Sequence, residues 1–105
     1  MASAVIVLTT VPEDLDARAL AQTLVGERLA ACVSVLPTMT SIYRWEGKVD
    51  ESRERQLVIK TSAETVDRLR DRLADLHPYD VPEFLVLEVA SGAAAYLTWL
   101  AESVR

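Results

Sequence analysis

The stretch that most constrains this chain runs from Ala31 to Thr61, ACVSVLPTMTSIYRWEGKVDESRERQLVIKT. Strand formers fill both of its arms, with Val33, Val35, Ile42, Tyr43 and Trp45 going out and Val49, Leu57, Val58 and Ile59 coming back. Glu46, Gly47 and Lys48 form the expected turn, so the stretch reads as one long β-hairpin. Each arm has about 14 residues and would extend roughly 45 Å at about 3.3 Å per residue. A compact domain of about 100 residues is only roughly 35 Å across. The hairpin must therefore overhang its own domain or bend. Its far end carries Ile42, Tyr43, Trp45 and Val49, apolar surface that another subunit would cover, and oligomerisation is expected.

The elements on either side fit around that hairpin. Ala4 to Thr10 (AVIVLTT) is a continuous apolar, β-branched run and reads as the central strand. Val11-Pro12-Glu13-Asp14 predicts a helix start, and Ala17, Leu20, Ala21 and Leu24 recur at helical spacing behind it. After the hairpin, Thr61 with Glu64 matches a capping box, and Val66, Leu69, Leu73 and Leu76 form the apolar stripe of a second helix. Pro78 ends that helix just after His77. Pro82 to Ala90 predicts a fourth strand, Ser91-Gly92 a break, and Ala93 to Val104 a last helix. The order is β-α-β-β-α-β plus a terminal helix. This is the α+β, ferredoxin-like pattern of an antiparallel sheet with two helices on one face.

The chain of 105 residues is expected to form a single domain spanning 1–105, because half of it is apolar and the length suits one core. A net charge of −5 argues against a nucleic-acid partner, which needs clustered Lys and Arg. No apolar run reaches the roughly 20 residues of a membrane span, and no basic n-region precedes the first strand. A cytoplasmic protein without a membrane partner is expected, and the lone Cys32 agrees with a reducing compartment.

His77 is the only histidine, in the turn His77-Pro78-Tyr79-Asp80-Val81-Pro82-Glu83. One reading is a cation placed favourably at a helix C-terminus. The other is a metal or ligand contact completed by Asp80, Glu83 or a neighbouring subunit. Cys32 is either a small hydrophobe at a strand entrance or a soft-metal ligand. Tyr43, Trp45 and Tyr79 belong to packing or to a ligand cleft, and Lys60 is either an edge charge or a contact to an anionic ligand. No nucleophile signature, phosphate loop or closed zinc spacing is present, so no catalytic residue is assigned and the chain is not read as an enzyme.

The segments AACVSVLP, TSIYRWEGKV, LVIKT, HPYDVPE and YLTWL, in this order, closely resemble the CutA (CutA1) divalent-cation tolerance family over nearly the whole chain. The resemblance implies a ferredoxin-like protomer in a tight homotrimer built through the long hairpins, PII-like in architecture. It also implies a link to copper and other divalent cations through binding rather than catalysis, with no cofactor obligatory. In the bacterial member with assigned copper ligands, a cysteine stands at Thr9 and two histidines stand at Leu76 and His77. Only His77 matches, so it is the first ligand candidate, with Cys32, Asp80 and Glu83 behind it. The expected function is a cytoplasmic, homotrimeric, metal-responsive binding protein whose inter-subunit clefts involve Tyr43, Trp45, Lys60 and Tyr79. The alternative is a PII-like signalling or scaffold module that recognises a protein partner or a small anionic metabolite without metal.

Overall fold

The computed structural model describes residues 3–105. Five strands and three helices are arranged as β1 (Ala4–Pro12), α1 (Ala17–Gly26), β2 (Cys32–Val35), β3 (Met39–Trp45), β4 (Lys48–Ser62), α2 (Val66–Leu76), β5 (Leu85–Glu88) and α3 (Ala94–Ser103). A 3-10 turn over Ala63–Thr65 leads into α2. The sheet is antiparallel in the order β2-β4-β1-β5, with β3 also pairing β4.

The long β4 is the axis of this arrangement, and the expected hairpin is built along it with two corrections. Its outgoing arm is two strands, because the chain leaves the ladder over Leu36, Pro37 and Thr38. Proline has no N–H to donate to a neighbouring strand, so the interruption falls where the sequence places Pro37. β2 then lies opposite Leu57–Lys60 and β3 opposite Lys48–Glu54. The turn is also tighter than the expected three residues. Trp45 pairs with Lys48, which leaves Glu46 (φ 50°) and Gly47 (φ 78°) as a two-residue loop. Two successive positive φ values suit the right-handed twist of the flanking strands. β1 accompanies β4 only as far as Pro12 opposite Glu54. Beyond that point β3 and β4 continue as a two-stranded ribbon, and the molecule measures 44 × 26 × 24 Å.

Two helix starts also differ from expectation. β1 continues through Val11, which is fully buried, so α1 begins after Asp16, whose carboxylate accepts from the Ala19 N–H at 3.0 Å. Thr61 does not cap α2, because β4 runs on through Ser62 and the Thr61 hydroxyl donates to the Leu29 carbonyl at 2.8 Å. Burial of that strand end in the core outweighs the local capping signal. The peptide bonds before Pro78 and Pro82 are trans.

Alternation in β1 and β4 sets the two faces of the sheet. Val5, Val7, Val11, Leu57 and Ile59 meet Leu20 and Leu24 of α1 and Leu69 and Leu73 of α2 in one core. The charged face of α2 is tied to the end of α1 by Arg72, which donates through Nε and Nη2 to the Glu27 carboxylate, both at 2.9 Å. α3 lies on the opposite face, where Leu100 is buried and Tyr96 meets Lys60. Among the described residues no helix covers the rest of that second face.

Candidate functional site

An open groove of about 860 Å³ runs along this second face where the ribbon leaves the sheet. The strand period of two builds most of it. Asp50, Ser52, Glu54 and Gln56 come from alternate positions of β4, facing Met39, Ser41, Tyr43 and Trp45 from alternate positions of β3. The loop from Pro78 to Glu83 closes one side. Pro78 and Pro82 restrict the backbone there, so Tyr79, Asp80 and Glu83 are presented from a stiff turn.

Hydrogen bonds fix several of these groups. The Tyr79 hydroxyl donates to Glu54 Oε2 at 2.8 Å, and Gln56 Nε2 donates both to the Thr9 carbonyl and to Glu83 Oε2, each at 2.8 Å. The hydroxyls of Tyr43 and Ser52 are 2.6 Å apart. Burial raises the Tyr79 hydroxyl well above its ordinary titration range, and the neighbouring Glu54 carboxylate pushes it further the same way.

His77 lies beneath this loop and is 8% exposed. Its Nε2 donates to the Thr10 carbonyl at 2.6 Å, and its Nδ1 accepts from the Tyr79 N–H at 3.1 Å, so the geometry assigns the Nε2–H tautomer. Its ring packs 4.7 Å from that of Tyr79. Both nitrogens are therefore engaged in holding the loop. A metal ion could reach either one only by displacing a hydrogen bond.

The other expected residues divide. Tyr43, Trp45, Tyr79, Asp80 and Glu83 line the groove together. Lys60 does not, since its ammonium lies 3.4 Å from the Tyr96 hydroxyl and 5.7 Å from that ring's centroid at the α3 end of the sheet. Cys32 is half-buried and pairs with Lys60 in the β2–β4 ladder, away from His77. Thr9 is 1% exposed within the helix-facing row, and Leu76 packs against the core. Among the described residues no three of His, Cys, Asp and Glu gather as ligands for one metal ion, so the quartet of His77, Cys32, Asp80 and Glu83 is not assembled within one chain.

Sequence reasoning missed Asp50, Glu54 and Gln56. A signal for them exists, because the alternation Asp50, Ser52, Glu54, Gln56 places polar groups on one face of the return arm opposite Tyr43 and Trp45. With them included, Asp50, Glu54, Asp80 and Glu83 supply four carboxyl groups, and the lining contains no Lys, Arg or His. Such a groove attracts cations and repels anions.

Among the described residues no helix is long and apolar enough to cross a membrane. A family model described as CutA1 divalent ion tolerance protein matches residues 5–103. The divalent-cation tolerance protein CutA of Thermus thermophilus is 49% identical over 98 residues, covering 93% of this chain and 95% of its own. That of Pectobacterium atrosepticum is 46% identical over 105 residues, covering 100% and 96%. The fold superposes on the solved structure of the Thermus thermophilus protein with a TM-score of 0.93 at 47% identity, over 97% of this chain and 99% of that one. On CutA1 from Oryza sativa it superposes with a TM-score of 0.94 at 39% identity, over 99% and 95%. Family model, sequence identity and superposition agree over nearly the full length: the chain belongs to the CutA1 divalent ion tolerance family.

Proposed function

We propose that this chain works as a cytoplasmic, homotrimeric divalent-cation tolerance protein, in which ferredoxin-like protomers hold cations in the ribbon groove and a neighbouring subunit completes the ligand set. The observation that carries the reading is the lining of the groove, with Asp50, Glu54, Asp80 and Glu83 and no cationic side chain. Glu54 and Glu83 are already oriented by hydrogen bonds from Tyr79 and Gln56, which leaves oxygen lone pairs free for a cation. Carboxylate oxygens suit hard divalent ions such as Mn²⁺, whereas selectivity for copper or zinc is built with imidazole or thiolate donors. The imidazole of His77 is occupied on both sides and Cys32 lies elsewhere, so the donors on this chain favour a hard ion over copper. The role is binding, with no catalytic residue assigned. The same carboxylates disfavour an anionic metabolite in this groove, which weighs against the PII-like alternative at this position.

Isothermal titration of the pure assembly with Mn²⁺, Zn²⁺ and Cu²⁺ tests the reading. A saturable heat with Mn²⁺ is expected, weakened about tenfold or more in the Asp80→Asn/Glu83→Gln double variant because affinity follows ligand charge. His77→Ala is expected to lower stability more than affinity. Absence of saturable heat, or a double variant that binds like the parent, would remove the groove as the cation site.

A further inference from the structure

On the helix-facing side of the sheet, a smaller pocket of about 360 Å³ is lined by Arg18, Ala21 and Gln22 of α1, Val33 and Val35 of β2, and Arg55 of β4. Its chemistry is opposite to that of the acidic groove. Arg55 occupies a core-facing position of β4, directly across from the fully buried Val11, in a row continued by Leu57 and Ile59. The Nε atom of Arg55 is cut off from solvent and has no hydrogen-bond partner among the described residues. Leaving a charged donor buried without an acceptor costs more than an ordinary missing bond.

Arg18, exposed on α1, brings a second guanidinium to the rim of the pocket. It stands four residues before Gln22, so both project from the same side of α1 toward the pocket. Among the described residues the ion pairs involve Arg53, Arg70 and Arg72, and neither Arg18 nor Arg55 is matched with a carboxylate. No Asp or Glu lines this pocket. Two guanidiniums around one cavity repel each other unless a negative charge lies between them.

We propose that the pocket binds a phosphate group, either inorganic phosphate or a small phosphate monoester. Phosphate carries about −1.5 to −2 charge at neutral pH, enough to neutralise both guanidiniums, and its oxygens match their planar forks. The Gln22 amide supplies a neutral donor beside them. Val33, Val35 and Ala21 form an apolar wall for a short ester substituent. Arg55 thus holds its place in a core row because the ligand supplies the acceptor that the protein omits.

The test follows the Nε–Hε resonances of Arg18 and Arg55 in ¹⁵N-labelled protein during titration with inorganic phosphate, against chloride and acetate at matched ionic strength. Saturable shifts of both resonances with phosphate alone are expected. Arg55→Gln and, separately, Arg18→Gln are expected to weaken binding about tenfold or more, the loss typical of one charge-assisted hydrogen bond. Arg18→Gln lies near the start of a surface helix, so it keeps the test alive should Arg55→Gln unfold. Linear shifts, equal shifts with chloride or acetate, or phosphate binding unchanged in Arg18→Gln would overturn the proposal.

Discussion

Glu54 is 7% exposed, and the Tyr79 hydroxyl, donating at 2.8 Å, is the hydrogen-bond donor that answers its carboxylate. Replacing that phenol by Tyr79→Phe leaves a buried carboxylate short of a donor, so a loss of about 1–3 kcal/mol is expected in urea unfolding at pH 7. The pair also predicts a pH signature. Burial, and then Glu54, raise the folded-state pKa of Tyr79 above the ordinary 10.0 of the unfolded chain. A group raised in the folded state contributes stability that is complete below the unfolded pKa and is lost as pH rises above it. The parent protein is therefore expected to lose stability above about pH 10 more steeply than Tyr79→Phe does. Equal alkaline slopes in unfolding curves of the two proteins would contradict the pairing. Single residues were legible in sequence only where their partners are local. Tyr79, Asp80 and Glu83 sit beside one another in a proline-bounded turn and line the groove together. The role of His77 was not legible, because the carbonyl that accepts its Nε2–H belongs to Thr10, 67 positions away in the chain.

At the scale of the element, the hairpin turn is the clearest meeting of sequence and backbone. Gly47 at φ 78° occupies a region that side chains rarely adopt, although no atom would obstruct an added Cβ. The cost of Gly47→Ala is thus conformational and is expected at about 1 kcal/mol, while Glu46→Asn, better suited to its φ of 50°, is expected to stabilise slightly. Thermal unfolding of the two variants checks the opposite signs. Most of the fold was readable at this level, because a period of two and a period of 3.6 separate strands from helices without knowledge of the whole. The errors fall where tertiary contact outweighs a local signal. Val11 and Thr61 are both fully buried, so β1 and β4 extend through positions whose neighbours look like helix starts. β5 is only Leu85–Glu88 where a run to Ala90 was expected, since β1 offers it partners from Val5 to Leu8.

For the whole molecule, the question is what covers the apolar surface that one chain leaves open. On the ribbon, Ile42 and Val49 are each 70% exposed and Trp45 is 50% exposed. On the second face of the sheet, Leu85 and Leu87 of the edge strand β5 lie beside Leu8 and Ile6, are themselves exposed, and extend the apolar area toward Tyr96 and Trp99 of α3. Exposed apolar area on this scale marks an interface, and a stable one buries about 800 Å² on each partner. A ribbon that projects past its own sheet offers such area to another copy, as the proposed trimer requires. Under the proposed trimer, light scattering is expected to give a mass about three times the 11.6 kDa of one chain. Charges introduced at the ribbon by Ile42→Glu/Val49→Glu would need burial in that interface, so the double variant is expected to sediment as a single copy while far-UV circular dichroism stays unchanged. A parent protein of single-chain mass would end the trimer reading. A double variant that still assembles would move the interface from the ribbon to the open sheet face, and with it the subunit that completes the acidic groove.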